Sequence, residues 1–175
     1  ILDVGTGTGL IALMMAQRAP EALITGVDVE EVSQARENAA ASPWGGRVAF
    51  VQCPVQEFAP DERFDLIVSN PPFFVDSLTC LAAEGRFAVI LPTDEARRFT
   101  DVCRGFLALT RSMGVRTTPR RPVKRLLMEF AHENASSGLR SDSPPVCSEL
   151  VVGTGEHEQY TPEYRALTRD FYLKF

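Results

Sequence analysis

The sequence predicts an α/β fold built on a mostly parallel β-sheet with helices on both faces. Short apolar runs alternate with stretches of helical character along most of the chain, which is the order that parallel strands joined by helices require. The 175 residues are 45% hydrophobic, enough to form one α/β domain with a real core. We therefore expect a single domain over residues 1–175.

Five strands and three helices are expected before the chain changes character. The strands are the apolar runs near 1–4, 23–27, 48–52, 64–69 and 87–91. The helices are expected near 10–18, 30–41 and 94–107. Further strands near 114–118, 124–130 and 149–152 follow one another without helices, and an antiparallel edge of the sheet fits there.

A last helix is expected over residues 161–173. Thr161 is suited to the N-cap, Pro162 to the first helical position, and Glu163 adds negative charge to the first turn.

Composition argues against several functions. No run approaches the ~20 apolar residues that a membrane-spanning helix needs. The four cysteines, Cys53, Cys80, Cys103 and Cys147, are scattered and form no Cys-x-x-Cys motif. This usage favours reduced thiols in a cytoplasmic protein and argues against a metal site.

A glycine-rich turn follows the first strand. Asp3 precedes the sequence Gly5-Thr6-Gly7-Thr8-Gly9, and a helix is expected directly after it. Strand, glycine turn and helix is the context in which such a motif binds a ligand, because glycine lets the backbone approach closely and adopt positive φ. The spacing is G-x-G-x-G rather than the G-x-G-x-x-G of dinucleotide sites. Taken alone, the motif also fits an ordinary tight turn.

The second strand ends in Asp28, about 20 residues beyond the glycines, where an acidic side chain can bind a ribose diol. The expected ligand therefore contains a ribose. A pyrophosphate is less clearly implied, because the dinucleotide spacing is absent.

The fourth strand leads into Asn70-Pro71-Pro72-Phe73, which suits a planar amine. The Asn70 side-chain carbonyl can accept from one N–H and the Pro71 carbonyl from the other, while the Phe73 ring lies flat on the substrate. Asn-Pro-Pro also occurs as a plain loop breaker after a strand. The glycine turn and Asp28, in order along successive strands, argue against that interpretation and favour methylation of an amino group on a base or an amide.

Together these motifs resemble the S-adenosylmethionine-dependent methyltransferases of the Rossmann-like class. Three segments, 69–74, 122–130 and 160–173, are similar to the bacterial tRNA adenine-N6 methyltransferases. That family modifies the adenine just 3′ of the anticodon, at position 37, in valine tRNA. The resemblance implies a mostly parallel seven-stranded sheet with an antiparallel edge.

The resemblance also implies S-adenosylmethionine as cofactor, S-adenosylhomocysteine as product and tRNA as substrate. The cofactor residues it implies are Asp3, Gly5, Thr6, Gly7, Gly9, Asp28, Val55 and Asn70. The catalytic residues it implies are Asn70, Pro71 and Phe73, with Phe74 as a pocket wall or a core residue. Asp3 could orient the glycine turn, meet the methionine amine or serve a purely structural purpose. Pro54 stands where the family usually has an Asp that contacts the cofactor adenine, so the backbone of Val55 is expected to substitute.

A cluster of basic residues stands out from an acidic chain with net charge −5. Between residues 111 and 125 there is no acid, and the cations are Arg111, Arg116, Arg120, Arg121, Lys124 and Arg125. Such a cluster can bind phosphates, although a solvated loop between strands would look the same. The tRNA resemblance favours RNA binding, with Arg116, Arg120, Arg121, Lys124 and Arg125 as the contact residues.

Three other functions fit parts of the pattern. A protein glutamine-N5 methyltransferase could hold a planar amide with the same motif, though Tyr is more usual at its fourth position. An rRNA guanine-N2 methyltransferase and a catalytically inactive RNA-binding module are the others. The intact Asn70 and glycine turn argue against the inactive module, and the basic cluster and terminal motif argue against the glutamine enzyme.

Two segments are expected to be missing. The family has an upstream segment that helps close over the cofactor. Only residues 75–86 separate Phe74 from the next strand, which is short for a parallel crossover containing a helix. We therefore expect absent residues near 77–81, in a loop that covers the substrate.

Overall fold

The computed structural model describes residues 1–70, 75–134, 138–157 and 159–171. The strands are β1 (Leu2–Val4), β2 (Ile24–Asp28), β3 (Val48–Gln52), β4 (Phe64–Ser69), β5 (Leu81–Pro92), β6 (Leu107–Arg116), β7 (Arg125–His132) and β8 (Val146–Val151). The helices are α1 (Leu10–Arg18), α2 (Ser33–Ala40), α3 (Thr93–Cys103) and α4 (Pro162–Thr168). Short 3-10 helices lie at Gly45–Arg47 and Val75–Cys80.

The chain divides into two compact units, Ile1–Val89 and Ile90–Phe175. In the first unit the strand order is β3-β2-β1-β4-β5, and every neighbouring pair is parallel. Val4 of β1 is paired with Val27 on one side and Ser69 on the other. The carboxyl ends of β1, β2 and β4 therefore meet at the same edge of the sheet.

The core of the first unit packs small helix residues against one aromatic ring. Ala35 of α2 is fully buried, and Phe50 of β3 lies beneath the glycine turn. A Cβ atom on Gly26 would lie 2.6 Å from Phe50 Cδ1, and one on Gly9 would lie 2.8 Å from Phe50 Cζ. Glycine at these two positions is therefore what lets the Phe50 ring fill the space under the turn.

A single side chain, that of Arg47, binds carbonyl groups in the last turn of α1 and in the segment that follows it. Its guanidinium donates to the carbonyls of Ala16, Ala19 and Ala22 at 2.6, 3.0 and 2.9 Å. A helix leaves its last carbonyls without intrahelical partners, so this cation satisfies the Ala16 carbonyl of the last turn and that of the C-cap Ala19, and its charge complements the helix dipole.

Strand β5 is longer than predicted and follows the 3-10 helix at Val75–Cys80 without a break. Within the described residues of the β4–β5 connection there is no α-helix. Phe64 pairs with Leu81 and Leu66 with Arg86, so the four residues 82–85 of β5 stand opposite one residue of β4, and three of them are extra and form an irregularity. The expectation of absent residues near 77–81 stays a prediction.

The second unit contains the antiparallel part of the sheet. β7 pairs with β6 antiparallel, and β8 pairs with the other side of β6 in parallel. Phe99 of α3 packs edge-on against Phe130 of β7, with ring centroids 5.4 Å apart. α3 ends at Cys103 rather than at 107, because Gly105 adopts φ 89° and turns the chain into β6.

The predicted fold class is confirmed. The strands form one eight-stranded sheet in the order β3-β2-β1-β4-β5-β7-β6-β8, which is one strand more than the predicted seven. Thr161 caps α4, since its Oγ1 accepts from the Tyr164 N–H at 3.2 Å, but the helix ends at Thr168 rather than at 173. A single domain over 1–175 stays a prediction.

Two features are absent from the described part of the chain. No helix there is long and apolar enough to cross a membrane. No group of three or more His, Cys, Asp or Glu side chains there could hold a metal ion.

Candidate functional site

The glycine turn is fixed by backbone hydrogen bonds to the end of β2. The amides of Gly5 and Thr6 both donate to the Val27 carbonyl, at 2.8 and 3.1 Å. Gly5, Gly7 and Gly9 have φ values of 71°, 52° and 78°. Side-chain-bearing residues rarely adopt this left-handed conformation, so glycine lets the turn fold, with bare backbone facing outward at Gly5 and Gly7 and with Gly9 buried against Phe50.

Asp3 holds the turn from below. It is fully buried (0% exposed), and its Oδ2 accepts from Thr6 Oγ1 at 2.7 Å and from the Ala12 N–H at 3.1 Å. Burial raises the pKa of Asp3 to about 6, against the opposing effect of these two hydrogen bonds. Oδ1 is buried with no hydrogen-bond partner among the described residues. Asp3 can thus orient the glycine turn, while its contact with the methionine amine stays a prediction.

Asp28 links the end of β2 to the glycine turn by a hydrogen bond, and its side chain remains partly exposed to solvent. Its Oδ2 accepts from the Gly7 N–H at 2.7 Å, and its Oδ1 accepts from the Glu30 N–H at 3.1 Å. Each oxygen keeps a lone pair that can accept from a hydroxyl group. The carboxylate is therefore held in one orientation with acceptor capacity to spare.

Asn70 lies at the same level of the sheet. Ser69 donates its Oγ–H to the Val4 carbonyl at 2.7 Å, which ties the end of β4 to the end of β1. Because Val4 is opposite both Ser69 and Val27, the next residues of the three strands, Gly5, Asp28 and Asn70, stand side by side. With strands spaced by about 4.8 Å, Asp28 and Asn70 flank the glycine turn roughly 10 Å apart.

Three residues predicted beside Asn70, namely Pro71, Phe73 and Phe74, lie outside the described residues. The amine-binding arrangement therefore stays a prediction, apart from the position of Asn70 at an exposed strand end.

A cavity of about 360 Å³ opens where β1, β2 and β3 end. It is lined by Val4, Gly5, Val27, Asp28, Val29, Cys53, Val55 and Gln56. Three of these, Val29, Cys53 and Gln56, carried no role in the sequence interpretation, and their only signal was that they follow the ends of β2 and β3. Burial raises the pKa of the Cys53 thiol, with Glu57 adding to the effect, which keeps it neutral.

The basic cluster is less uniform than its sequence suggests. The Arg116 guanidinium donates to both carboxylate oxygens of Glu149, at 2.9 and 3.0 Å, and Arg111 forms an ion pair with Glu129 at 3.6 Å. The remaining four cations are exposed around the turn between β6 and β7: Arg120, Arg121, Lys124 and Arg125.

Comparison with known proteins first defines the class. Residues 1–89 match the family model described as Methyltransferase small domain, which makes this chain a member of a methyltransferase class. A crystal structure from Agrobacterium tumefaciens, described as a predicted O-methyltransferase, has the same fold with TM-score 0.74 and 17% identity, covering 96% of this chain and 87% of that one. A ribosomal protein L11 methylase from Lactobacillus delbrueckii subsp. bulgaricus has TM-score 0.61 and 18% identity, covering 76% and 69%.

More similar relatives define the family. The tRNA1(Val) (adenine(37)-N6)-methyltransferase of Bacteroides thetaiotaomicron is 37% identical over 203 residues, covering 99% of this chain and 82% of that protein. The protein of the same description from Trichodesmium erythraeum is 32% identical over 209 residues, covering 100% and 83%. The chain therefore belongs to the family of tRNA1(Val) (adenine(37)-N6)-methyltransferases. The alignments are longer than the 175 residues of this chain, so these relatives contain segments that have no counterpart in it.

Proposed function

We propose that this protein transfers a methyl group from S-adenosylmethionine to N6 of adenine 37 in valine tRNA. The observation that carries the proposal is the 37% identity, over 99% of the chain, to a relative described by that reaction. The side-by-side strand ends at Gly5, Asp28 and Asn70 support it, because they offer a cofactor site and a substrate acceptor at one sheet edge.

The cofactor would be held by the residues around the glycine turn. The exposed glycines Gly5 and Gly7 leave bare backbone that a ligand can approach, and Asp28 keeps lone pairs for two ribose hydroxyl groups. Val55 lines the cavity and would contact the base through its side chain or backbone. When bound, S-adenosylmethionine supplies a sulfonium methyl group with a good leaving group already in place.

The protein's contribution is then alignment of the acceptor amine. The adenine N6 lone pair is delocalised into the ring, so the amine is a poor nucleophile. Asn70 Oδ1 and the Pro71 carbonyl would each accept one N–H, which favours a pyramidal nitrogen with its lone pair free. Phe73 would stack on the adenine once it is turned out of the anticodon loop.

RNA binding would depend chiefly on four exposed cations at the β6–β7 turn: Arg120, Arg121, Lys124 and Arg125. Phosphate contacts need charges that are accessible and not already neutralised. Arg116 is engaged by Glu149, so we assign it to holding β6 against β8, with RNA contact as a secondary role. A tRNA substrate also implies a cytoplasmic reaction.

The test is to supply labelled S-adenosylmethionine, in separate reactions, with unmodified total tRNA, unmodified ribosomal RNA or a protein extract, and then to digest the labelled product. We expect N6-methyladenosine from tRNA and no label on protein. Label on protein glutamine, or N2-methylguanosine from ribosomal RNA, would refute the proposal in favour of the corresponding alternative enzyme. Asn70→Ala should abolish transfer while S-adenosylhomocysteine still binds, and unchanged turnover would refute the role of Asn70.

A further inference from the structure

The cofactor cavity contains a side chain, Gln56, whose chemistry suits a purine base. Gln56 lines the same cavity as Asp28 and Val29. Its amide carries a strong acceptor and a strong donor on one planar group. Among the described residues that line the cavity, Gln56 is the one whose side chain carries both a strong hydrogen-bond donor and a strong acceptor.

The backbone after β3 explains why residue 56 reaches the cavity. The Cys53 N–H donates to the Asp28 carbonyl at 2.9 Å, which continues the β2–β3 pairing one residue past Gln52. Two overlapping turns follow: the Glu57 N–H donates to the Pro54 carbonyl at 2.9 Å, and the Phe58 N–H donates to the Val55 carbonyl at 3.3 Å. Gln56 is a central residue of both turns, so its position relative to the end of β2 is fixed by the backbone.

The polar groups of the cavity suit the two parts of a nucleoside, with a carboxylate for the ribose and a carboxamide for the base. The Asp28 carboxylate is an acceptor only, which suits the hydroxyl donors of a ribose. Adenine needs an acceptor for its N6 amine and a donor for ring nitrogens N1 or N7. A carboxamide meets both needs at once, and paired hydrogen bonds from Gln or Asn to adenine are a common mode of base recognition.

Apolar side chains flank the same space. Val29 remains 59% exposed although it is a β-branched residue at the end of a buried strand, and Val55 lies on the β3 side. A planar base between them would cover this apolar surface. Pro54, next to them, has neither an N–H nor a polar side chain to contribute.

We propose that Gln56 recognises the adenine of S-adenosylmethionine, with Oε1 accepting from the N6 amine and Nε2 donating to a ring nitrogen. This inference rests on the cofactor assignment made under the proposed function. It makes Gln56 a specificity residue for the base of the cofactor, and it has no bearing on which tRNA is methylated.

The test measures binding rather than turnover. Calorimetry would give the Kd of S-adenosylhomocysteine, and of its analogue with hydrogen in place of the N6 amine, for the wild type and Gln56→Ala. Gln52→Ala is the matched control, because Gln52 is an exposed glutamine four residues earlier that pairs with Asp28 through its backbone.

We expect Gln56→Ala to weaken S-adenosylhomocysteine binding about 5- to 30-fold, the equivalent of one or two hydrogen bonds. The analogue should bind the wild type more weakly than S-adenosylhomocysteine does, and this difference should largely disappear in Gln56→Ala. Gln52→Ala should bind both ligands as the wild type does.

If Gln56→Ala weakened the binding of S-adenosylhomocysteine and of the analogue equally, the inference would be overturned, since Gln56 would then only shape the turn. An unchanged Kd for S-adenosylhomocysteine would overturn it as well. Either result leaves the methyltransferase proposal standing. Failure of the wild type to bind S-adenosylhomocysteine at all would instead overturn the cofactor assignment and the inference together.

Discussion

Replacing Asp3 with asparagine removes the buried ionisable group beneath the glycine turn. Burial raises its pKa from 3.8 to about 6, so the folded protein binds this proton more tightly than the unfolded chain does. Because the folded pKa is the higher one, the stabilisation from protonated Asp3 is fully present below pH 3.8 and is lost as the pH rises through about 6. A difference of about two pKa units corresponds to about 3 kcal/mol.

Asp3→Asn cannot titrate, yet it keeps an oxygen that can accept from Thr6 and Ala12. The free energy of unfolding of the variant, relative to the wild type, should therefore increase by about 2–2.5 kcal/mol between about pH 4 and pH 8, because part of the stabilisation is already lost at pH 4. Any fixed cost of the new amide N–H is the same at every pH and cancels in this comparison. Urea denaturation across the pH range measures the difference.

Asp61→Asn, at an exposed aspartate in the loop before β4, is the control for general effects of charge. It should show no comparable change with pH. A difference in unfolding free energy between Asp3→Asn and the wild type that stays constant from about pH 4 to pH 8 would refute the account of Asp3 as a carboxylate whose ionisation is opposed by burial.

Three further predictions concern packing, helix capping and RNA binding. Gly26→Ala should destabilise the protein by about 1–3 kcal/mol in thermal or urea unfolding, because its Cβ would lie 2.6 Å from Phe50 Cδ1. Arg47→Ala should cost about 2–3 kcal/mol in the same assay, because it leaves the carbonyls of Ala16, Ala19 and Ala22 without their charged donor. Reversing the charges of Arg120 and Arg121 should weaken tRNA binding and lower the magnitude of its salt-dependence slope by about 2 in filter-binding titrations.

Each of these has a matched control in the chain. Gly46→Ala adds a Cβ with no atom within 4 Å and should change stability little, so similar losses at Gly26 and Gly46 would argue against the Phe50 contact. Arg63→Ala, at an exposed loop arginine, is the control for Arg47. For the RNA-binding prediction, the control is to reverse the charges of Arg63 and Arg140, which changes the net charge as much as reversing Arg120 and Arg121 does. If both double variants lost tRNA binding equally, the effect would be due to overall charge rather than to the β6–β7 turn.

The elements of the first unit could be predicted closely because their signals are local. α1 begins and ends where predicted, at Leu10 and Arg18, since the glycine turn fixes its start. The predicted end of α3 at 107 was wrong, because Gly105, with φ 89°, follows the C-cap Arg104, and a glycine at this place is a helix stop signal that the prediction did not use. The early start of β6, at Leu107 rather than at 114, follows from the same error.

The site residues could be predicted only where a polar residue directly follows an apolar run, which marks the end of a strand. Asp28 and Asn70 follow apolar runs, so their shared edge could be inferred from the parallel order of β1, β2 and β4. Gln56 could not, because its approach to the cavity depends on two turns after β3 rather than on a motif. The neutralisation of Arg116 depends on pairing with Glu149, 33 residues away, which only the β6–β8 register reveals.

The most direct test of the central claim uses two transcripts of valine tRNA that differ only at position 37. One carries adenine there and the other guanine, and methyl incorporation from S-adenosylmethionine is located by mass spectrometry of nuclease fragments. The account predicts one methyl group on N6 of adenine 37 and none on the guanine transcript. Equal incorporation into both transcripts, or a methyl group at any other nucleotide, would contradict it.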